Sequence, residues 1–152
     1  MSERLDGKCI VVIGAGTGIG AATVRRLASE GARVCVADIN GDAARAVADE
    51  VTGKGGHAFS VTVDITDEAS VKAAIDQAVA GLGKLDGAHV NAADLRVIFQ
   101  DSDALDVDMD VFDRTIDVNL RGHLRCTKAV LPHLLATGGA IVYTSSGAGD
   151  EG

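Results

Sequence analysis

Ile10-Val11-Val12-Ile13-Gly14-Ala15-Gly16-Thr17-Gly18-Ile19-Gly20, followed by Asp38 at the end of the next apolar run, is the stretch that decides the fold. A short apolar run stops at four glycines, and a helical pattern begins at once. Gly14 can take a positive φ and turn the chain sharply. Gly18 has no Cβ to hold a pyrophosphate away, and Gly20 lets the new helix sit close to the strand. The helix start, with Thr17 and Ile19 beside these glycines, offers unpaired N–H groups and partial positive charge to phosphates. The spacing fits G-x-x-x-G-x-G; a strict G-x-G-x-x-G fails from Gly14 because Ile19 fills its last place. No lysine lies between Lys8 and Lys54, so a Walker loop is absent and a nucleoside-triphosphatase reading falls away. Asp38, 20 residues after Gly18, can accept hydrogen bonds from the adenosine ribose hydroxyls. It would repel a 2′-phosphate, and no arginine or lysine follows until Arg45, so NAD is preferred over NADP. The competing explanations are a ligand-free strand-to-helix turn and an ordinary surface aspartate.

Outward from this stretch, β-branched runs alternate with amphipathic helices. Residues 8–13, 33–38, 57–63, 85–91 and 140–145 read as strands. The first helix spans 18–30 with Gly31 as its stop, and the second spans 41–51 behind an Asn40 cap, with Ala43, Val47 and Val51 on one face. Thr66 is expected to cap a third helix striped by Val71, Ile75, Ala78, Val79 and Leu82. A single long helix is expected over 109–136, with Met109, Phe112, Ile116, Leu120, Leu124, Leu131 and Leu135 on or near one stripe and Pro132 near its end. The pattern predicts an α/β protein: a Rossmann-type doubly wound parallel sheet of order 3-2-1-4-5, one domain over residues 1–152. Ligands of such sheets sit at the carboxyl ends of the strands where the order reverses, beside the glycine turn.

Composition narrows the classes. Of 152 residues, 47% are hydrophobic and 24% charged, and 22 acidic against 14 basic side chains give a net charge of −8. An acidic chain without a basic cluster argues against nucleic acid or anionic lipid as partner. No apolar run approaches the roughly 18 residues that cross a bilayer, and the first residues show no leader pattern. Cys9, Cys35 and Cys126 are odd in number and far apart, which fits buried thiols in a reducing, cytoplasmic compartment. The six aspartates of 101–113 lack the glycine and glutamate of a calcium loop and read as a helix entry. His89, His123 and His133 form no triad and no metal spacing, so no metal site is expected. Asn119 falls beside the apolar stripe of the long helix, where a buried amide needs partners.

Together these motifs resemble the short-chain dehydrogenase/reductase family. Gly14 to Gly20 match its cofactor loop. Asp64-Ile65, after the third strand, match the pair that brackets the adenine. Val90-Asn91-Ala92-Ala93 is similar to its Asn-Asn-Ala-Gly segment, with Val90 and Ala93 as departures. The resemblance implies that Asn91, Ala92 and Ala93 border the cofactor. Asp117-Val118-Asn119-Leu120-Arg121-Gly122 matches the motif whose asparagine belongs to the family's catalytic tetrad, and Ile141 to Gly147 match the strand whose second serine, Ser146, polarises the substrate oxygen. The implied activity is hydride transfer between nicotinamide and an alcohol or ketone, in a homo-oligomer. The family's tyrosine and lysine (Tyr-x-x-x-Lys) follow that serine by more residues than the six present here, and Tyr143, the sole tyrosine, has Gly147 where its lysine would stand. The 152-residue chain is therefore expected to resemble a domain cut after its fifth strand, leaving part of the long-helix stripe bare, and to be inactive by itself. The alternative is a non-catalytic NAD-binding module. A methyltransferase using S-adenosylmethionine shares the glycine turn but not the motifs around Asn91, Asn119 and Ser146.

Overall fold

Runs such as Val11-Val12-Ile13 have no polar face, and such a strand is stable only when both sides are covered. The computed structural model, which describes residues 4–146, shows that arrangement. Strands β1 (Cys9–Ile13), β2 (Arg33–Asp38), β3 (His57–Thr62), β4 (Gly87–Val90) and β5 (Ala140–Tyr143) form one parallel sheet of order β3-β2-β1-β4-β5. The register runs from Cys9 opposite Arg33 to Ile13 opposite Ala37, and from Ile10 opposite Gly87 to Ile13 opposite Val90. The order reverses at β1, as expected.

Helices α1 (Gly18–Ser29) and α2 (Gly41–Gly53) cover one face, where Val12, Val34 and Val36 meet Ala21, Val24, Ala44 and Val47. Helices α3 (Glu68–Leu82) and α5 (His123–Thr137) cover the other, where Val11, Ile13 and Val90 meet Val71, Ile75, Cys126 and Val130. Each fully buried valine or isoleucine contributes about 1.5–3 kcal/mol. All three cysteines are buried and unpaired, and burial pushes the thiols of Cys35 and Cys126 up to about 12.

Three expectations need correction. Thr66 does not cap α3; Asp67 does, accepting from the Ala69 N–H at 2.9 Å. Thr66 turns back instead onto Asp64. The predicted long helix is three pieces: α4 (Met109–Ile116), a π-helical segment (Asp117–Gly122) and α5. The side of it that enters the core is lined by Val118, Gly122, Cys126, Val130 and Leu134. The larger Met109, Phe112, Leu120, Leu124, Leu131 and Leu135 are exposed. Small residues face inward because the backbone comes close: a Cβ on Gly122 would sit 2.7 Å from the Ile65 Cδ1. On α2, likewise, Ala44 rather than Ala43 lies in the core.

The closest approach is at Gly20, where an added Cβ would lie 2.0 Å from the Gly14 carbonyl oxygen. Gly20→Ala is expected to lose roughly 1–3 kcal/mol in urea unfolding. Gly53→Ala, with open space around it at the end of α2, should be neutral or slightly stabilising in the same assay.

Candidate functional site

The turn between β1 and α1 is stitched to β2. The N–H groups of Gly14 and Ala15 both donate to the Ala37 carbonyl, at 2.8 and 3.0 Å. Gly14 has φ +83° and Gly18 +54°, conformations that exclude most side chains. A Cβ on Gly14 would lie 2.5 Å from backbone atoms of Ala92, so the ends of β1 and β4 touch main chain to main chain. Asp38, at the tip of β2, accepts from the Gly16 N–H at 2.8 Å through one carboxylate oxygen and from the Asn40 N–H at 2.9 Å through the other.

The start of α1 differs from those of α2, α3 and α4. Asn40, Asp67 and Asp108 cap α2, α3 and α4 through their side chains. Thr17, at the α1 N-cap, makes no such bond, and the first turn holds no acidic residue. Thr17, Gly18 and Ile19 are exposed, while Gly20 is buried beneath them. This entry presents N–H dipoles to solvent beside Asp38, an arrangement that suits a diphosphate flanked by a sugar. The residues present therefore fit a dinucleotide.

Asp64 lies just beyond β3. It accepts from the Thr66 hydroxyl at 2.7 Å and the Thr66 N–H at 2.9 Å, which hold its carboxyl below the usual carboxylate range. Its neighbour Ile65 is buried against Gly122. Arg125 bridges this loop and the π segment, donating to the Ile65 and Asp117 carbonyls and, at 2.9 Å, to the Asp117 carboxylate.

Beyond β4, Asn91 bonds to protein on both sides. Its Nδ2 donates to the Gly14 carbonyl at 2.9 Å and its Oδ1 accepts from the Thr144 hydroxyl at 2.7 Å. The Ala92 carbonyl accepts from His123 Nε2 at 2.8 Å, and Ala93 is exposed. Asn119, in the π segment, receives the Asp94 N–H on its Oδ1 at 3.2 Å, so its amide oxygen is satisfied by backbone. Ser146 is exposed, three residues past β5; Gly147, the end of the matched motif, lies outside the described residues. Tyr143 turns toward α5, its hydroxyl 2.6 Å from Thr127 Oγ1 and its ring stacked on His123. Since Thr127 donates to the His123 carbonyl, Tyr143 must donate to Thr127.

Sequence reasoning missed Asp94. Its carboxylate is buried, gripped by Arg96 through two bonds of 2.9 and 2.8 Å and by Arg114 of α4 at 3.1 Å. The Arg96 guanidinium, aided by Arg114, holds its carboxyl well below the usual range against the opposing effect of burial. An aspartate directly after Ala92-Ala93, two residues before an arginine, was the available signal.

The profile of the short chain dehydrogenase family matches residues 8–152. The chain is 41% identical over 150 residues to a 2,5-dichloro-2,5-cyclohexadiene-1,4-diol dehydrogenase of Sphingobium indicum, covering 97% of this chain and 58% of that enzyme. It is 38% identical over 141 residues to the 7α-hydroxysteroid dehydrogenase of Escherichia coli, covering 93% and 53%. A solved 7α-hydroxysteroid dehydrogenase in complex with NADH and 7-oxo glycochenodeoxycholic acid superposes with a TM-score of 0.90 at 36% identity, over 99% of this chain and 58% of that one. The chain spans about half the length of the curated relatives it matches.

Asp94→Asn is expected to cost about 1–3 kcal/mol of stability at neutral pH, since it weakens charge-assisted bonds to two arginines. The folded carboxyl is depressed, so the native advantage is full above the ordinary aspartate pKa of about 3.9 and drains away as pH falls toward the lower folded value. Urea unfolding of both proteins across that range checks it.

Proposed function

The chain belongs to the short chain dehydrogenase family, and on that premise we propose that residues 1–152 form the NAD-binding part of an oxidoreductase acting on a small alcohol or ketone. The observation that carries this reading is the uncapped α1 entry beside Asp38. Gly14, Thr17, Gly18, Ile19 and Gly20 would hold the diphosphate through main-chain N–H groups. Asp38 would take the adenosine ribose, and its negative charge would disfavour a 2′-phosphate, hence NAD over NADP. Asp64 and Ile65 would bracket the adenine, and Asn91, Ala92 and Ala93 would border the nicotinamide side.

When bound, NAD supplies the hydride acceptor of an alcohol oxidation. This chain's own residues orient the reaction. Ser146 would donate a hydrogen bond to the substrate oxygen and polarise it. Asn119, with its Oδ1 tied to the Asp94 N–H, would order a water through its amide. Tyr143 fits no acid–base role, since its hydroxyl is bonded to Thr127 and no lysine lies four residues later. Proton transfer falls to a Tyr-x-x-x-Lys pair in a longer form of the protein. The exposed apolar side of the long helix favours a homo-oligomer. Among the described residues no helix is long and apolar enough to cross a membrane; the three buried, unpaired cysteines favour a reducing, cytoplasmic compartment, and the acidic balance argues against nucleic-acid partners.

Three measurements test this reading. Calorimetry on the native protein should show NAD binding and no heat with S-adenosylmethionine. Asp38→Ala should weaken NAD by about tenfold or more and narrow the gap to NADP; unchanged discrimination would remove the ribose role. In the native enzyme Ser146→Ala should lower kcat by roughly 100-fold or more and leave NAD affinity nearly intact. A large loss of NAD binding would show the serine to be misassigned.

A further inference from the structure

His89 stands on β4 between Val12 of β1 and Val142 of β5, on the opposite face from Ala88 and Val90. A chain of hydrogen bonds leaves it. Its Nε2 lies 2.8 Å from Thr144 Oγ1, that hydroxyl lies 2.7 Å from Asn91 Oδ1, and Asn91 Nδ2 lies 2.9 Å from the Gly14 carbonyl oxygen.

The proton positions follow from valence. A carbonyl only accepts, so the Asn91 amide must turn its NH2 toward Gly14. Its Oδ1 then faces Thr144 and must receive the hydroxyl proton. A hydroxyl has one proton, so the Thr144 oxygen can meet His89 only as an acceptor. The His89 Nε2 therefore carries a proton. Its Nδ1 is buried and meets no partner among the described residues, and burial holds the imidazole below its ordinary pKa, so the ring is the neutral tautomer with Nδ1 bare.

The far end of the chain is the atom that matters for the turn. The Gly14 carbonyl oxygen is the one a Cβ on Gly20 would strike, so it is the surface against which the first turn of α1 rests. The Gly14 N–H is already fixed on the Ala37 carbonyl. The relay supplies the second anchor, from β4 and β5.

We infer that His89 is a positioning residue for the dinucleotide turn: its Nε2–H orients Thr144, Thr144 orients Asn91, and Asn91 holds the Gly14 carbonyl against the start of α1. The ligand named here rests on the NAD reading above. Directional bonds in series make the three side chains act as one unit, and removing any link releases the same carbonyl.

The first test needs no variant. An imidazole 15N–1H correlation spectrum of the native protein should show His89 as a single Nε2-protonated tautomer at neutral pH; an Nδ1-protonated or averaged ring would overturn the inference. The second is NAD titration. His89→Leu and Thr144→Val should each weaken NAD about five- to tenfold, with thermal melting to confirm folding. The double variant should be no weaker than the weaker single one. His89→Gln, which returns an N–H donor, should recover most of the loss. Native-like affinity in His89→Leu, strictly additive losses, or no recovery by glutamine would overturn it in favour of a packing role. A native protein that takes up no NAD would remove the dinucleotide reading itself, and with it the ligand of this inference. Native uptake with undiminished His89→Leu binding removes this inference alone.

Discussion

Main chain resting on main chain is the constraint from which the site is built. The Gly14 carbonyl abuts Gly20, and Gly14 abuts the backbone of Ala92; a Cβ at either glycine would fall within normal contact distance of backbone atoms. Side chains here would push α1 away from β1 and β1 away from the end of β4. With none present, the starts and ends of three elements converge on one turn. The uncapped N–H groups at the start of α1 then lie where the strand order reverses, which is the crevice that a doubly wound sheet leaves open.

Around that contact, three carboxylates are handled in different ways. Asp38 is met by two backbone N–H groups, Asp64 by the hydroxyl and N–H of one threonine, and Asp94 by two guanidinium groups. The first two leave the chain's negative charge in place at the tips of β2 and β3. The third neutralises a buried charge and, through the same residue's N–H, fixes Asn119. A buried aspartate without those arginines would be costly, so the Asp94 cluster serves both stability and placement.

Most of the architecture was legible because it rests on local rules. The alternation of β-branched runs with amphipathic stretches led to the parallel sheet and its order, and the glycine spacing led to the turn. Asn40 was readable as a cap since its partner lies three residues away. Thr66 was misread because Asp67 beside it is an equally good cap, and only Asp64 in space decides between them. The long helix was misread for a different reason. Its large apolar residues suggested the inward stripe, yet close approach to Ile65 demands Gly122 there. Asp94, Arg125 and the His89–Thr144–Asn91 chain link residues 20 to 60 positions apart, and no periodicity announces such pairs.

The wide turn at Asp117–Gly122 has a consequence for how this segment can change over time. A π-helical turn is an α-helix carrying a surplus residue. Deleting that residue would restore ordinary winding with the flanking turns nearly in phase, whereas deleting one from α5, which carries no surplus, would swing everything upstream by about 100° around the axis. Arg114 would then leave Asp94, and the Asp94 N–H would lose Asn119. The wide turn is therefore the one place where this helix can absorb a change of length, while the regular turns of α5 cannot.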